Sequence, residues 1–114
     1  MTLVESASAE QLRSGNMRLD LLRREAVIET HEGVRSLPLT PSEFKLLSHF
    51  ALHAGKTLSR ESLLQDIWGA RSAKMSVRAI DVHICQLRKK LPSGSYRIEA
   101  VYGEGYRYSD GRTS

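Results

Sequence analysis

The chain has 114 residues, 40% of them hydrophobic and 26% charged, which is typical of one soluble globular domain with a modest core. No apolar run approaches the roughly 20 residues that cross a bilayer, and the N-terminus lacks the basic and apolar segments of a signal peptide. The single cysteine, Cys85, excludes an internal disulfide bond and a thiolate metal cluster, so we expect a reducing compartment, the cytoplasm.

The positive charge is concentrated in one part of the chain. The formal net charge is +4 and the pI is about 9.5. Residues 71–97 carry seven basic side chains and one acidic side chain, a net charge of +6, so the rest of the chain sums to −2. A basic segment on a slightly acidic body indicates an anion-binding face, although a merely solvated basic helix is the alternative.

The N-terminal part predicts a small sheet. Residues 1–15 hold few apolar side chains, so we expect a linker or expression remnant, with the domain at 16–109. Alternating polarity after Met17 predicts a strand, and the β-prone runs Glu25–Thr30 and Val34–Leu39 predict two more. Such an antiparallel sheet needs helices to pack against.

Two helices are predicted from their capping residues. Thr40, followed by proline and by Glu43, forms a capping box that begins the first helix, and we expect Gly55 to close it. Ser59 is the predicted N-cap of the second helix, which should end at Gly69.

The segment Ser76–Leu91 predicts a third helix, with Ser76 as its N-cap. Its apolar residues recur three and four positions apart, as one stripe of an α-helix does: Val77, Ile80, Ile84, Leu87 and Leu91. The opposite face carries Arg78, Val82, Cys85, Gln86 and Lys89, with His83 and Arg88 on its flanks. Only Asp81 is acidic, so we hypothesise that this helix enters the major groove of DNA.

The remaining segments complete an α+β order. Gly69–Met75 is a predicted polar loop, and Pro92-Ser93-Gly94 stops the third helix. Tyr96–Tyr108 predicts a β-hairpin around the turn Gly103-Glu104-Gly105, followed by a frayed tail at 110–114. An N-terminal antiparallel sheet, three helices and a C-terminal hairpin wing are the parts of a winged helix-turn-helix.

Four segments resemble the effector domain of OmpR/PhoB-type response regulators: LTPSEFKLL, LSRESLLQDIWG, VRAIDVHICQLRKKL and YRIEAVYGEGYRY. The resemblance runs from about Met17 to Tyr108 and implies a winged-helix domain that binds duplex DNA and regulates transcription in a two-component system. It also implies a phosphorylatable receiver domain, absent from these 114 residues, so we expect an excised effector domain or, alternatively, a stand-alone regulator.

The resemblance further implies partners and phosphate contacts. Head-to-tail dimers on tandem half-sites are expected. RNA polymerase is expected to contact the loop residues Ala70, Arg71, Ser72, Ala73 and Lys74. Phosphate contacts are implied for Trp68, Arg78, His83, Arg88 and Tyr106. The physical interpretation agrees for the basic residues, because the flanks of a groove-inserted helix face the sugar-phosphate walls. Core packing is an equally good interpretation of Trp68, and a half-buried site is an alternative for His83.

Base or groove contacts are expected from Val82, Cys85, Gln86, Lys89 and Tyr102. Gln86 could pair bidentately with adenine, and Val82 could contact a thymine methyl group. Family members often have arginine at positions 85, 86 and 102. The departure leaves the target sequence and minor-groove insertion of a cation open.

Two rival classes are less well supported. Cys85 and His83 point about 200° apart on a helix, so they cannot form a nucleophile–base pair. His49 and His53 have the spacing of two metal ligands, but no third ligand accompanies them. We therefore expect no catalysis, metal or cofactor. A protein-interaction or RNA-binding winged helix is the second rival, and it would not need the selective outer face of the third helix.

Overall fold

The computed structural model describes residues 10–92 and 96–110. The chain begins with a four-stranded antiparallel sheet in the order β1 (Gln11–Ser14), β2 (Met17–Asp20), β3 (Glu25–Thr30) and β4 (Gly33–Leu37). Met17 pairs with Ile28, and Leu19 pairs with Ala26, so these four side chains share one buried face. The predicted sheet is confirmed, with one strand more than expected.

The additional strand, β1, shows that the linker prediction is wrong for Gln11–Ser14. Leu12 pairs with Leu19 of β2, and Ser14 is buried. The Ser14 hydroxyl donates to Asp110 Oδ2 at 2.7 Å and lies 2.7 Å from the Tyr108 hydroxyl. The predicted frayed tail is therefore wrong for Asp110 as well. Residues 1–9 and 111–114 lie outside the described residues.

Three α-helices follow: α1 (Pro41–Leu52), α2 (Arg60–Trp68) and α3 (Arg78–Lys90). The predicted capping box at the start of α1 is confirmed. The Glu43 N–H donates to Thr40 Oγ1 at 3.2 Å, and the Thr40 N–H donates to Glu43 Oε1 at 2.9 Å. The helix ends before the predicted Gly55, whose N–H instead donates to the Tyr108 carbonyl at 2.9 Å.

The ends of α2 follow the prediction, and the start of α3 does not. Ser59 Oγ accepts the Ser62 N–H at 3.0 Å, and Gly69 ends α2 with φ of 56°. The predicted loop after α2 is a 3₁₀ helix over Gly69–Lys74. The predicted Ser76 cap is wrong, because one further turn precedes α3 and makes Val77 its N-cap, with no side-chain hydrogen bond.

The hairpin wing forms as predicted, from β6 (Arg97–Val101) and β7 (Gly105–Ser109). A short strand that the sequence did not predict, β5 (Thr57–Leu58), pairs with β7 and completes a three-stranded sheet. Gly105 has a φ of 146°, and a Cβ on this residue would overlap the Leu58 carbonyl, so only glycine fits there. Ser93 and Gly94 of the predicted helix stop lie outside the described residues.

The core lies between the first sheet, the helices and the wing. The predicted stripe of α3 is confirmed at its centre, because Ile80, Ile84 and Leu87 are 0% exposed. Val77 and Leu91, at its two ends, are partly buried. None of the described helices has the length and apolar character to cross a membrane.

A buried ion pair joins the start of α1 to the end of α3. Lys90 Nζ lies 2.7 Å from Glu43 Oε1, and Glu43 is 4% exposed. Burial by itself raises the pKa of Glu43, but hydrogen bonds from Lys90 and Thr40 outweigh burial and lower that pKa overall. Lys90 is thereby directed into the fold, away from the exposed face of α3.

We expect Lys90→Met to lower the free energy of unfolding by about 1–3 kcal/mol, because it leaves a buried carboxylate without its cation. Urea titration measures the change. Lys89→Met is the matched control, since Lys89 is exposed on the same turn and should change stability by less than about 0.5 kcal/mol. Equal losses in the two variants would contradict the role of the ion pair.

A second contact joins α1 to α2. His49 Nε2 lies 3.2 Å from Asp66 Oδ2, and the His49 ring lies 4.7 Å from the His53 ring. Burial and the neighbouring His53 lower the pKa of His49 more than Asp66 raises it. The unfolded chain therefore takes up this proton at a higher pH than the folded protein does.

Because of that difference, the stabilisation associated with neutral His49 is complete above its ordinary pKa of 6.5 and is lost as the pH falls below it. We expect the free energy of unfolding to decrease between about pH 7 and pH 5. His49→Gln should flatten this dependence, as measured by urea titration at several pH values. The same pH dependence in both proteins would contradict the prediction.

Candidate nucleic-acid interface

The outer face of α3 is open to solvent along its whole length. Val82 is 60% exposed. The other exposed side chains of this face are Arg78, Cys85, Gln86, Arg88 and Lys89. The residues that were predicted to read bases from α3 therefore share one accessible surface, which we call the reading face: Val82, Cys85, Gln86 and Lys89. The reading face lies opposite the buried stripe, so one side of α3 is anchored in the core and the other side is open to a partner.

Trp68, at the end of α2, packs beside the reading face. It is 9% exposed, and its ring centroid lies 4.8 Å from that of His83 on α3. His83 is itself half-buried. Trp68 therefore contributes to the core, as one of the two sequence interpretations expected, and it also holds the His83 imidazole at the flank of α3.

Arg88 connects α3 to the wing. Its Nε donates to the Ile98 carbonyl of β6 at 2.8 Å, while the residue as a whole is exposed. That bond uses one of the five N–H donors of a guanidinium group. The remaining four donors are on the two Nη atoms, which can form a bidentate contact with a phosphate.

Tyr106, expected to contact phosphate, lies beneath this surface. It is 5% exposed, and its hydroxyl donates to Asp81 Oδ1 at 2.6 Å. Burial and Asp81 both raise the pKa of Tyr106, so the hydroxyl keeps its proton. A hydroxyl has one hydrogen to donate, and this one is directed to Asp81. In this arrangement the Tyr106 hydroxyl has no hydrogen left for a phosphate oxygen.

Arg60, the first residue of α2, was missed by the sequence reasoning. Its Nε donates to Asp81 Oδ1 at 2.8 Å, and its guanidinium carbon lies 5.0 Å from the Tyr106 ring centroid. Arg88 approaches the same ring, at 5.5 Å. The sequence signal for this cluster is Asp81. A single acidic residue on a basic helix indicates an ion pair with a cation from a neighbouring element, and Arg60 is that cation.

The wing has an exposed tyrosine at its tip and ion-paired side chains on its strands. Tyr102 is 100% exposed in the turn of the hairpin. On the strands, Arg97 Nη1 and Arg107 Nη2 lie 3.9 Å and 3.6 Å from the two oxygens of Glu99. The strand cations are therefore partly neutralised, and the tip of the wing carries a phenol.

The segment expected to contact RNA polymerase is the 3₁₀ helix Gly69–Lys74. Ser72 Oγ donates to Gln65 Oε1 of α2 at 3.2 Å, which attaches the segment to that helix. Arg71 and Lys74 are exposed. Across residues 10–92 and 96–110, no group of three His, Cys, Asp or Glu side chains has the proximity that a metal ion needs.

Comparison with known sequences identifies related proteins. Residues 34–108 match the family model described as the C-terminal part of transcriptional regulatory proteins. The phosphate regulon transcriptional regulatory protein PhoB of Escherichia coli is 42% identical over 79 residues, which are 68% of this chain and 34% of PhoB. The atypical response regulator ChxR of Chlamydia trachomatis is 41% identical over 83 residues, which are 73% of this chain and 35% of ChxR. The chain thus spans about a third of the length of these relatives.

Solved structures with the same fold agree. The Klebsiella pneumoniae RstA DNA-binding domain, crystallised with the RstA box, matches with a TM-score of 0.74 at 29% identity, covering 89% of this chain and 98% of that one. The DNA-binding domain of CpxR from Escherichia coli matches with a TM-score of 0.68 at 35% identity, covering 85% of this chain and 93% of that one. The chain therefore belongs to the OmpR/PhoB-type family of transcriptional regulatory proteins, as a winged-helix domain of the kind that forms their C-terminal part.

Proposed function

We propose that this domain binds duplex DNA sequence-specifically and regulates transcription as the effector domain of a two-component response regulator. The observation that carries the proposal is the geometry of α3, which buries Ile80, Ile84 and Leu87 completely and exposes a basic and polar face on its other side. An α-helix with such a face fits the major groove of B-DNA. The DNA-binding domain of Klebsiella pneumoniae RstA, which has a similar fold, was crystallised in complex with the RstA box.

The reading face supplies the base contacts in this proposal. Gln86 pairs with an adenine through its amide, and Val82 contacts a thymine methyl group. Cys85 and Lys89 lie beside them on the same exposed surface. Tyr102 extends from the wing toward the backbone or the minor groove, and its full exposure supports that role.

The flanks of α3 supply the phosphate contacts. Arg78 and Arg88 are exposed cations at the two ends of the helix, and His83 is held between them by Trp68. A neutral imidazole can donate one hydrogen bond to phosphate, so His83 need not be protonated. Tyr106 supports these contacts from below, since Arg88 lies over its ring.

The remaining parts of the proposal concern the whole protein. The matching parts of PhoB and ChxR are about a third of those proteins. We propose that this domain acts together with a receiver domain of the same protein, as its resemblance to response regulators implies. We place the protein in the cytoplasm, as a head-to-tail dimer on DNA, with RNA polymerase contacting the 3₁₀ helix Gly69–Lys74. The exposure of Arg71 and Lys74 on that segment supports an electrostatic contact.

Arg78→Ala should weaken binding to every duplex by a similar factor and reduce the slope of log Kd against log salt by about 1, because one phosphate contact is lost. Fluorescence anisotropy at several salt concentrations measures both quantities. Arg35→Ala is the control, because it removes the same charge from an exposed position on β4, the edge strand that pairs with β3 in the N-terminal sheet. If Arg35→Ala weakened binding as much, the effect would be one of net charge alone.

Gln86→Ala should instead relax the choice at one base position, by about 1–3 kcal/mol, because one bidentate base contact is lost. The measurement compares Kd for single-substitution duplexes of a site selected by the domain. Loss of affinity that is uniform across all these duplexes would contradict base reading by Gln86.

A further inference from the structure

An acidic side chain lies on the helix that we propose to enter DNA. Asp81 is the only acidic residue of α3, and its side chain is 43% exposed. A carboxylate at this place repels phosphate groups, so by charge alone it would weaken DNA binding. Its contacts give it a different role.

Three elements of the fold meet at one oxygen of Asp81. The Tyr106 hydroxyl of β7 donates to Oδ1 at 2.6 Å, and Arg60 Nε at the start of α2 donates to the same atom at 2.8 Å. These two hydrogen bonds lower the pKa of Asp81, so it is ionised at neutral pH and its charge is compensated by Arg60.

The wing is thereby held to α3 at two points. Asp81 binds Tyr106 of β7, and Arg88 binds the Ile98 carbonyl of β6. The two helix residues are seven positions apart, which is two turns and about 10 Å along the helix axis, so they lie on the same side. These two polar contacts add to the burial of Ile98 and Tyr108 in the core, and they fix the angle between the wing and α3 on the side that faces a partner.

We propose that Asp81 is a positioning residue for DNA binding, which fixes the wing and the start of α2 against α3 through Tyr106 and Arg60. This inference rests on the proposed function and extends it. According to this inference, the negative charge of Asp81 favours DNA binding, because α3 and the wing then meet the duplex in one fixed geometry.

Asp81→Asn tests the inference, because asparagine keeps the shape and one acceptor oxygen but loses the charge that strengthens both hydrogen bonds. The expected result is a Kd about tenfold higher for a duplex selected by the wild-type domain. Glu104→Gln is the matched control, since it makes the same charge change at an exposed position in the wing turn. The control should bind as tightly as the wild type or more tightly. Tighter binding by Asp81→Asn would overturn the inference.

A double-mutant cycle with Tyr106→Phe separates positioning from direct contact. If both residues act through their shared hydrogen bond, Asp81→Asn combined with Tyr106→Phe should weaken binding by less than the product of the single effects. Multiplicative effects would mean that the two residues act independently, and they would overturn the inference. A charge effect alone would not produce coupling with a neutral hydroxyl.

Amide hydrogen exchange of the DNA-free variants provides a readout that does not need DNA binding. Asp81→Asn should accelerate exchange in β6, in β7 and at the start of α2 while leaving α1 protected, because the wing and the start of α2 are the parts that Asp81 attaches to α3. Acceleration throughout the chain would indicate global destabilisation and overturn the positioning role. If the wild-type domain bound no duplex, both proposals would fail. If the wild type bound and Asp81→Asn bound equally well, only this inference would fail.

Discussion

The burial of one side of α3 is the constraint on which the rest of the structure depends. Ile80, Ile84 and Leu87 lose all contact with water, and each such side chain contributes about 1.5–3 kcal/mol when fully buried. That burial fixes the rotation of the helix about its axis. The rotation in turn decides which residues remain outside, so the same apolar stripe that stabilises the domain also presents Gln86 and its neighbours.

Electrostatics then divides the basic residues of α3 among different tasks. Lys90 forms an ion pair with the buried Glu43, and Arg88 donates a hydrogen bond to the Ile98 carbonyl of the wing. Arg78, Arg88 and Lys89 remain exposed, and the bond to a neutral carbonyl leaves the charge of Arg88 uncompensated. Because Lys90 is paired with Glu43, the formal charge of residues 71–97 overstates the charge that a partner would meet. What distinguishes the surface is the placement of each cation, because contacts to phosphate act over hydrogen-bond distances while exposed charges farther apart are screened by salt.

Local signals in the sequence predicted the elements, and long-range contacts decided the rest. The Thr40 capping box and the stripe of α3 were predictable, because their residues lie within one or a few helical turns of each other. The strand at Gln11–Ser14 was not, since its buried member is a serine satisfied by Asp110, 96 positions away. The Asp81–Tyr106 contact spans 25 positions, so no local pattern could indicate it. The phosphate contact expected for Tyr106 came from the family resemblance, and Arg60 was not singled out.

The most direct test of the central claim is selection from a random duplex library with the purified domain at roughly physiological salt, where non-specific phosphate binding is suppressed. A reading face that contacts base edges predicts enrichment of one short motif, and tandem copies of it if domains bind head to tail. Retention of duplexes without any enriched motif would contradict sequence-specific reading and leave phosphate binding alone. No retention would contradict DNA binding itself and favour a protein partner for this winged helix.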